Sequence, residues 1–430
     1  MKKILILALA AGFASASPLM ALDLYITGST AFRANVFTAC SKLYNGGAPT
    51  SIIYGGTATG GSGASASSNP QWTMTGQVGN TISALGSTPL TIHGLFTGSV
   101  QGCETVEQST KLIFLDASGN AITNTPTIAF TDCSSSATPY PASGNFSEEQ
   151  VCVQPFVCVK SVAGGGLNNI TNVTWEQLKY AIQAGRIPLA AWTHNSADLS
   201  SYVYLVERTK DSGTRRTLFA QELDGYNQSA TIYLYDNITN NIFYKPSGTV
   251  IVGSAGNNNA NLNWGSGYVS GGNIATELGY SNPNNQAISY LSIADAKSIT
   301  GTAWSQVIPF NGGWPTAAGS GISGNAGTND FSPITLGVYP CWGYEVVDYP
   351  NVDPSSISSD QNLTAAQLGN QTTTGTILGV LDAQTLINGG SPLVGSLENE
   401  IVSSQPNGAT AIPLAAMVSS RSSVGGTITP

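Results

Sequence analysis

Short apolar runs of strand composition alternate along this chain with segments of helical spacing, and this alternation limits the fold to the α/β class. Leu24–Ile26 reads as a strand, Thr27–Thr30 as a turn, and Ala31–Leu43 as a helix with Phe32, Val36, Cys40 and Leu43 on one face. Further strands are expected at Thr91–Phe96, Lys111–Leu115, Thr127–Phe130, Tyr202–Val206, Ala287–Ser292 and Trp342–Val347. Asp116–Asn120 reads as a hairpin turn, and Val151–Val159 as a strand pair or one strand bent at Pro155. Thr174 with Gln177 forms a capping box, and Trp175, Leu178 and Ile182 share a face before Gly185 stops that helix. Helices are also expected at Arg215–Leu223, Gly271–Leu278 and Gly375–Ile387. The charge-poor, Gly/Ser/Thr-rich stretch Gly46–Ser87 reads as a long loop or a small elaboration, and Ile232–Tyr244 as an inserted hairpin. Strands alternating with helices predict largely parallel sheets.

The first residues read as a secretory signal peptide: Lys2 and Lys3, an apolar run over Ile4–Ala11, then small residues. Cleavage is expected after Ala16 or Ala21, with Ala21 preferred because Leu22 already begins a strand; no cysteine lies near either point, so no lipid anchor is expected. The reading is therefore a periplasmic or secreted protein. Residues 22–430 suffice for two lobes with separate cores. Only 9% of residues are charged and the net charge is −9, which argues against a nucleic-acid partner. Six cysteines fit an oxidising compartment, as up to three disulfides or as buried thiols. With two histidines and no C-x-x-C, neither a metal site nor a cofactor is expected.

Four segments share one design, a strand end followed by a turn rich in Gly, Ser, Thr or Asp: Thr27–Phe32, Thr97–Gly102, Thr131–Ser135 and Arg208–Thr214. Where a helix follows, its first N–H groups and positive dipole end face the turn, and the hydroxyls add donors. Such ends bind anions, and in open α/β sheets they gather at the carboxyl ends of strands. The fourth segment is the sharpest: Arg208, Lys210, Arg215 and Arg216 are four of only 15 basic residues in the chain.

At these residues the chain resembles the phosphate-binding proteins of high-affinity phosphate ABC transporters. The matches run in order: Tyr25–Phe32 (YITGSTAF), His93–Ser99 (HGLFTGS), Ala129–Ser134 (AFTDCS), Asn172–Trp192, Arg208–Thr214 (RTKDSGT), Ile288–Ser292 (ISYLS), Phe310–Thr316 (FNGGWPT), Gly337–Pro340 (GVYP) and Ile412–Leu414 (IPL). The most specific is Arg208–Thr214, similar to the family's Arg-x-Asp-Gly-Ser-Gly-Thr signature. The resemblance implies a two-lobed periplasmic-binding-protein fold of type 2, with a hinge crossed twice and a ligand cleft between the lobes. It implies lobe one over 22–150 and 293–430, and lobe two over 151–292. It implies that Ser29, Thr30 and the amides of Ala31 and Phe32 hold an oxyanion from one lobe with Ser99 and Asp132, and that Arg208, Ser212, Gly213 and Thr214 close from the other. Asp132 would accept a hydrogen bond from a protonated anion oxygen and so disfavour sulfate. The implied ligand is phosphate or a related oxyanion, the implied partner an ABC transporter permease, and the implied state a monomer.

The chain departs from that pattern where Lys210 replaces the signature's Asp and Asp211 its Gly. Lys210 is expected to point to solvent, with Asp211 free to pair with Arg208. No G-x-S-x-G elbow and no H-E-x-x-H occurs, so an enzyme is not expected. The alternative is a secreted surface protein using the same fold without transport, which the Gly/Ser/Asn-rich insertions would suit.

Overall fold

The computed structural model describes residues 22–55, 69–79, 89–126, 128–141, 146–222, 233–236, 241–244, 262–263, 267–280, 286–299, 306–319, 330–350, 412, 414–421 and 428–429. The signal-peptide segment and the helix expected at Gly375–Ile387 lie outside them.

The first lobe opens with strand β1 (Leu22–Gly28) and helix α1 (Arg33–Lys42), followed by β2 (Ser51–Tyr54), β3 (Gln71–Gln77), β4 (Pro89–Leu95), α2 (Ser99–Glu107), the hairpin β5 (Leu112–Leu115) and β6 (Ala121–Asn124), and β7 (Ile128–Thr131). β1 lies between β4 and β7, parallel to both, with Leu24 opposite Ile92 and Ile26 opposite Ile128. These apolar residues are buried, and α1 lays Val36, Cys40 and Leu43 into the same core. Gly28 ends β1 at φ 122°, where a Cβ would overlap the Phe130 carbonyl. Only glycine lets the first turn pass this close to β7.

The long strand β8 (Phe146–Lys160) is followed by α3 (Trp175–Ala184), β9 (Arg186–Pro188), α4 (Ala190–Thr193), β10 (Tyr202–Leu205), α5 (Gly213–Glu222), the hairpin β11 (Tyr233–Asp236) and β12 (Asn241–Tyr244), the pair β13 (Leu262–Asn263) and β14 (Gly267–Tyr268), α6 (Gly271–Gly279), β15 (Gln286–Ser292) and α7 (Ile293–Ser298). The capping box of Thr174 and Gln177 starts α3, and Gly185 at φ 74° ends it. β10 runs parallel to β15, with Leu205 opposite Ile288, and separate apolar clusters cover the two faces of this sheet. β16 (Val307–Ile308) pairs with β8, α8 (Ser332–Thr335) follows, and β17 (Trp342–Pro350) returns beside β8. Ile308, Phe310, Ile334 and Tyr339 pack into the cluster of Leu205 and Ile288.

The protein is thus two-lobed α/β; one expectation is corrected and two open alternatives are resolved. The sheets are mixed rather than largely parallel: the order is β2-β3-β4-β1-β7-β17-β8-β15-β10-β9, and every pair made by β8 or β17 is antiparallel. β8 and β17 are neighbouring strands running in opposite directions at the middle of this order. β8, with 15 residues, is long enough to pair with β17 through its first part and with β15 through its last. Of the two alternatives for Val151–Val159, the structure takes the single strand. Pro155, which has no N–H, stands opposite Trp342 at the last β17 pairing, one residue before Phe156 pairs with Ser292 of β15. Finally, the described residues within Gly46–Ser87 form the small elaboration rather than only a loop. β2 and β3 add antiparallel strands to the edge of β4, with Trp72 and Met74 buried and the Trp72 ring filling the space beside Gly94.

All six cysteines are buried, and Cys40, Cys103 and Cys133 are thiols. No helix among the described residues is long and apolar enough to cross a membrane.

Candidate functional site between the lobes

The turns singled out in the sequence meet where the two lobes face each other. From the first lobe come the turn after β1, the N-terminus of α2 and the end of β7. From the second comes the segment between β10 and α5. Ser29, Thr30, Ser99, Asp132, Arg208, Ser212 and Thr214 are all buried there.

Arg208 is only 3% exposed. Its Nη2 donates to Thr30 Oγ1 across the lobes at 3.2 Å and lies 3.5 Å from the Val269 carbonyl, while its Nε has no hydrogen-bond partner. Burial pulls this guanidinium below its ordinary value, and the nearby carboxylates of Asp295 and Asp132 pull it back. The other three clustered cations do different work. Lys210 is exposed, as expected. Arg215 Nη1 donates to the Arg208 carbonyl at 3.0 Å and its guanidinium lies over the Phe219 ring, while Arg216 Nε donates to the Lys210 carbonyl at 3.1 Å. Two arginines therefore brace the turn that presents the third.

α5 begins at Gly213, two residues earlier than expected. Ser212 Oγ accepts from the Arg215 amide at 3.2 Å, a cap that leaves the Gly213 and Thr214 amides without partners inside the helix. A Cβ at Gly213 would overlap Asp132 Oδ1 and Ser99 Oγ, so this residue must be glycine for the lobes to approach as they do. Asp132 is the centre of the contact: Ser99 Oγ donates to its Oδ1, Thr214 Oγ1 to its Oδ2 at 2.7 Å, and Thr217 Oγ1 to its carbonyl at 2.7 Å. Behind it on β17, burial first and the Asp132 charge second push the Glu345 carboxyl well up, and neither Glu345 oxygen has a hydrogen-bond partner.

Some expected donors are already in use. Ser29 Oγ accepts from the amides of Ala31 at 3.1 Å and Phe32 at 3.2 Å. At the second turn the Val100 amide donates to the Asp211 carbonyl at 3.2 Å. Asp211 thus serves the contact through its backbone rather than as the partner of Arg208 that its position had implied.

The sequence reading passed over Glu207, Thr217, Arg33 and Asp295. Glu207 is fully buried, accepts from the Arg208 amide at 2.7 Å and takes the Tyr290 hydroxyl; burial raises its carboxyl against the opposing charge of Arg215. Its only sequence signal is its place beside Arg208. The two histidines lie in other settings: His93 stacks on Tyr25 in the first lobe, and His194 is exposed at the end of α4. Among the described residues no group of three or more Asp, Glu, His or Cys side chains is arranged to hold a metal ion.

No protein-family model matches the chain, and no curated protein matches its sequence. Among solved structures it is similar to a protein from Clostridium perfringens described as a phosphate ABC transporter substrate-binding protein, solved with bound phosphate. There the identity is 11%, the match covers 91% of this chain and 99% of that one, and the TM-score is 0.45. It is also similar to an ABC-type phosphate transport receptor from Vibrio cholerae, at 14% identity over 88% of this chain and 97% of that one, with a TM-score of 0.39. At these scores the likeness is one of general architecture.

Proposed function

We propose that this chain is an exported solute-binding protein that closes its lobes on a small oxyanion, with inorganic phosphate its preferred ligand. The observation that carries the reading is Arg208. A buried guanidinium with an unpartnered Nε is costly until an anion accepts its hydrogen bonds, and the desolvated setting that makes it costly also strengthens the charge-assisted bonds it then forms. Thr30, Ser212 and the amides of Gly213 and Thr214 add neutral donors around the same anion. Ser99 orients Asp132, whose carboxylate takes a hydrogen bond from a protonated oxygen. Sulfate has no such proton near neutral pH and meets repulsion instead. The amides of Ala31 and Phe32 contribute only if Ser29 releases them. Delivery to an ABC permease, as a monomer, is the role in which such a protein serves uptake.

Calorimetric titration with phosphate, arsenate and sulfate tests the reading. Phosphate at a hundred times its dissociation constant should raise stability by about 2.7 kcal/mol. Arg208→Ala should remove most of that gain while the anion-free protein stays folded. No heat and an unmoved melting temperature at millimolar phosphate would leave the surface-protein alternative in its place.

A further inference from the structure

Arg208 finds no counter-charge within its own turn. Lys210 is exposed, Asp211 contributes its carbonyl to α2, and Glu207 is bonded to Tyr290 and to the Arg208 amide. The strongest opposing charge comes instead from Asp295, near the start of α7 and far along the chain. Asp295 is only 8% exposed and is held in two ways. Ser292 caps α7, accepting from the Asp295 amide at 3.2 Å and donating to its Oδ2 at 3.1 Å. The start of α6 presses on the same carboxylate so closely that a Cβ at Gly271 would overlap Oδ2.

A Cβ built at Gly272 would lie 3.8 Å from Asp295 Oδ1 and 3.9 Å from Arg33 Nη2, so the carboxylate and the guanidinium both border the start of α6. Arg33 is fixed from behind, because its Nη1 donates to the Thr30 carbonyl. Thr30 therefore joins both arginines: its carbonyl takes Arg33 and its hydroxyl takes Arg208. Burial raises the Asp295 carboxyl, and of the charges that draw it back down Arg33 is the strongest and Arg208 the next.

We propose that Asp295 is a positioning residue of the anion site, a buried carboxylate shared by Arg33 of the first lobe and Arg208 of the second that holds the lobes closed and keeps the Arg208 guanidinium aimed at the ligand. This deepens the anion-binding reading and rests on it. Arg33 and Asp295 do not touch the anion in this scheme. They act through Thr30 and Arg208, so their loss is felt as weaker closure rather than as a missing ligand bond.

A double-mutant cycle on Arg33→Ala and Asp295→Asn tests the proposal, read by phosphate calorimetry and by small-angle scattering of the anion-free protein. Asn keeps the shape that Ser292 and Gly271 enclose. Each single variant should weaken phosphate binding about tenfold and expand the anion-free particle, and the double variant should be no worse than the weaker single. Arg33→Lys should retain most of the affinity. Losses that simply add, or an Asp295→Asn protein that binds as tightly as the unaltered one, overturn the proposal. Should the unaltered chain take up no phosphate, the anion-binding reading falls, and equal compactness of the variants in scattering then overturns the pairing as well. Should Asp295→Asn fail to fold, Arg33→Ala with unchanged affinity and compactness is sufficient to reject it.

Discussion

The turn after β1 and the turn after β10 have the same local design, and the lobes use them differently. Both leave a strand, pass through hydroxyl residues and enter a helix. In the first, Ser29 stands far enough ahead of the helix that its Oγ folds back onto the Ala31 and Phe32 amides, and α1 starts from Phe32 with no side-chain cap. In the second, Ser212 is itself the cap and reaches the third helical amide, which leaves the first two free. One turn has satisfied its own donors; the other has kept them for something else. Whether a helix N-terminus is an anion site thus depends on which amide the nearby hydroxyl engages, not only on the presence of Ser, Thr and Gly.

The largest effect that would sharpen this contrast is expected at Gly213. Gly213→Ala drives a methyl group into Asp132 and Ser99, and overpacking of this kind costs about 2 kcal/mol, a roughly thirtyfold loss of phosphate affinity by calorimetry. Ser212→Ala should come next. Losing the cap of α5 costs about 1 kcal/mol in thermal or denaturant unfolding, with affinity falling about fivefold as the first turn frays. Ser29→Ala should separate the two turns most cleanly. It strips the Ala31 and Phe32 amides of their acceptor and lowers anion-free stability by about 1 kcal/mol, while phosphate restores part of the loss by offering those amides new acceptors. An affinity loss at Ser29 as large as that at Gly213 would break the comparison. The smallest effect belongs to Lys210→Ala: an exposed ammonium beside the cleft should shift affinity by less than about twofold, and only at low salt.

Much of the site was legible because its parts are local. The glycine and hydroxyl turns, the capping box of α3 and the apolar faces of α1 and β1 are set by neighbours a few residues away, so spacing alone exposes them. Concentrating four cations around one turn in a charge-poor chain pointed to Arg208–Thr214. The strands β2 and β3 were missed because the alternation of Trp72 and Met74 is short and sits among Gly and Ser.

What the sequence by itself determined is therefore most of the elements, their α/β class and the glycine and hydroxyl turns of the candidate site, because hydrophobic period and turn chemistry act over one or two turns of chain. Tertiary structure alone decided that β8 and β17 pair antiparallel, that Arg208 is buried, that Ser29 consumes the first turn's amides, and that Asp295 and Arg33 both border the start of α6. These outcomes depend on desolvation and on contacts between residues far apart in the chain, and neither quantity exists until the lobes have packed against each other.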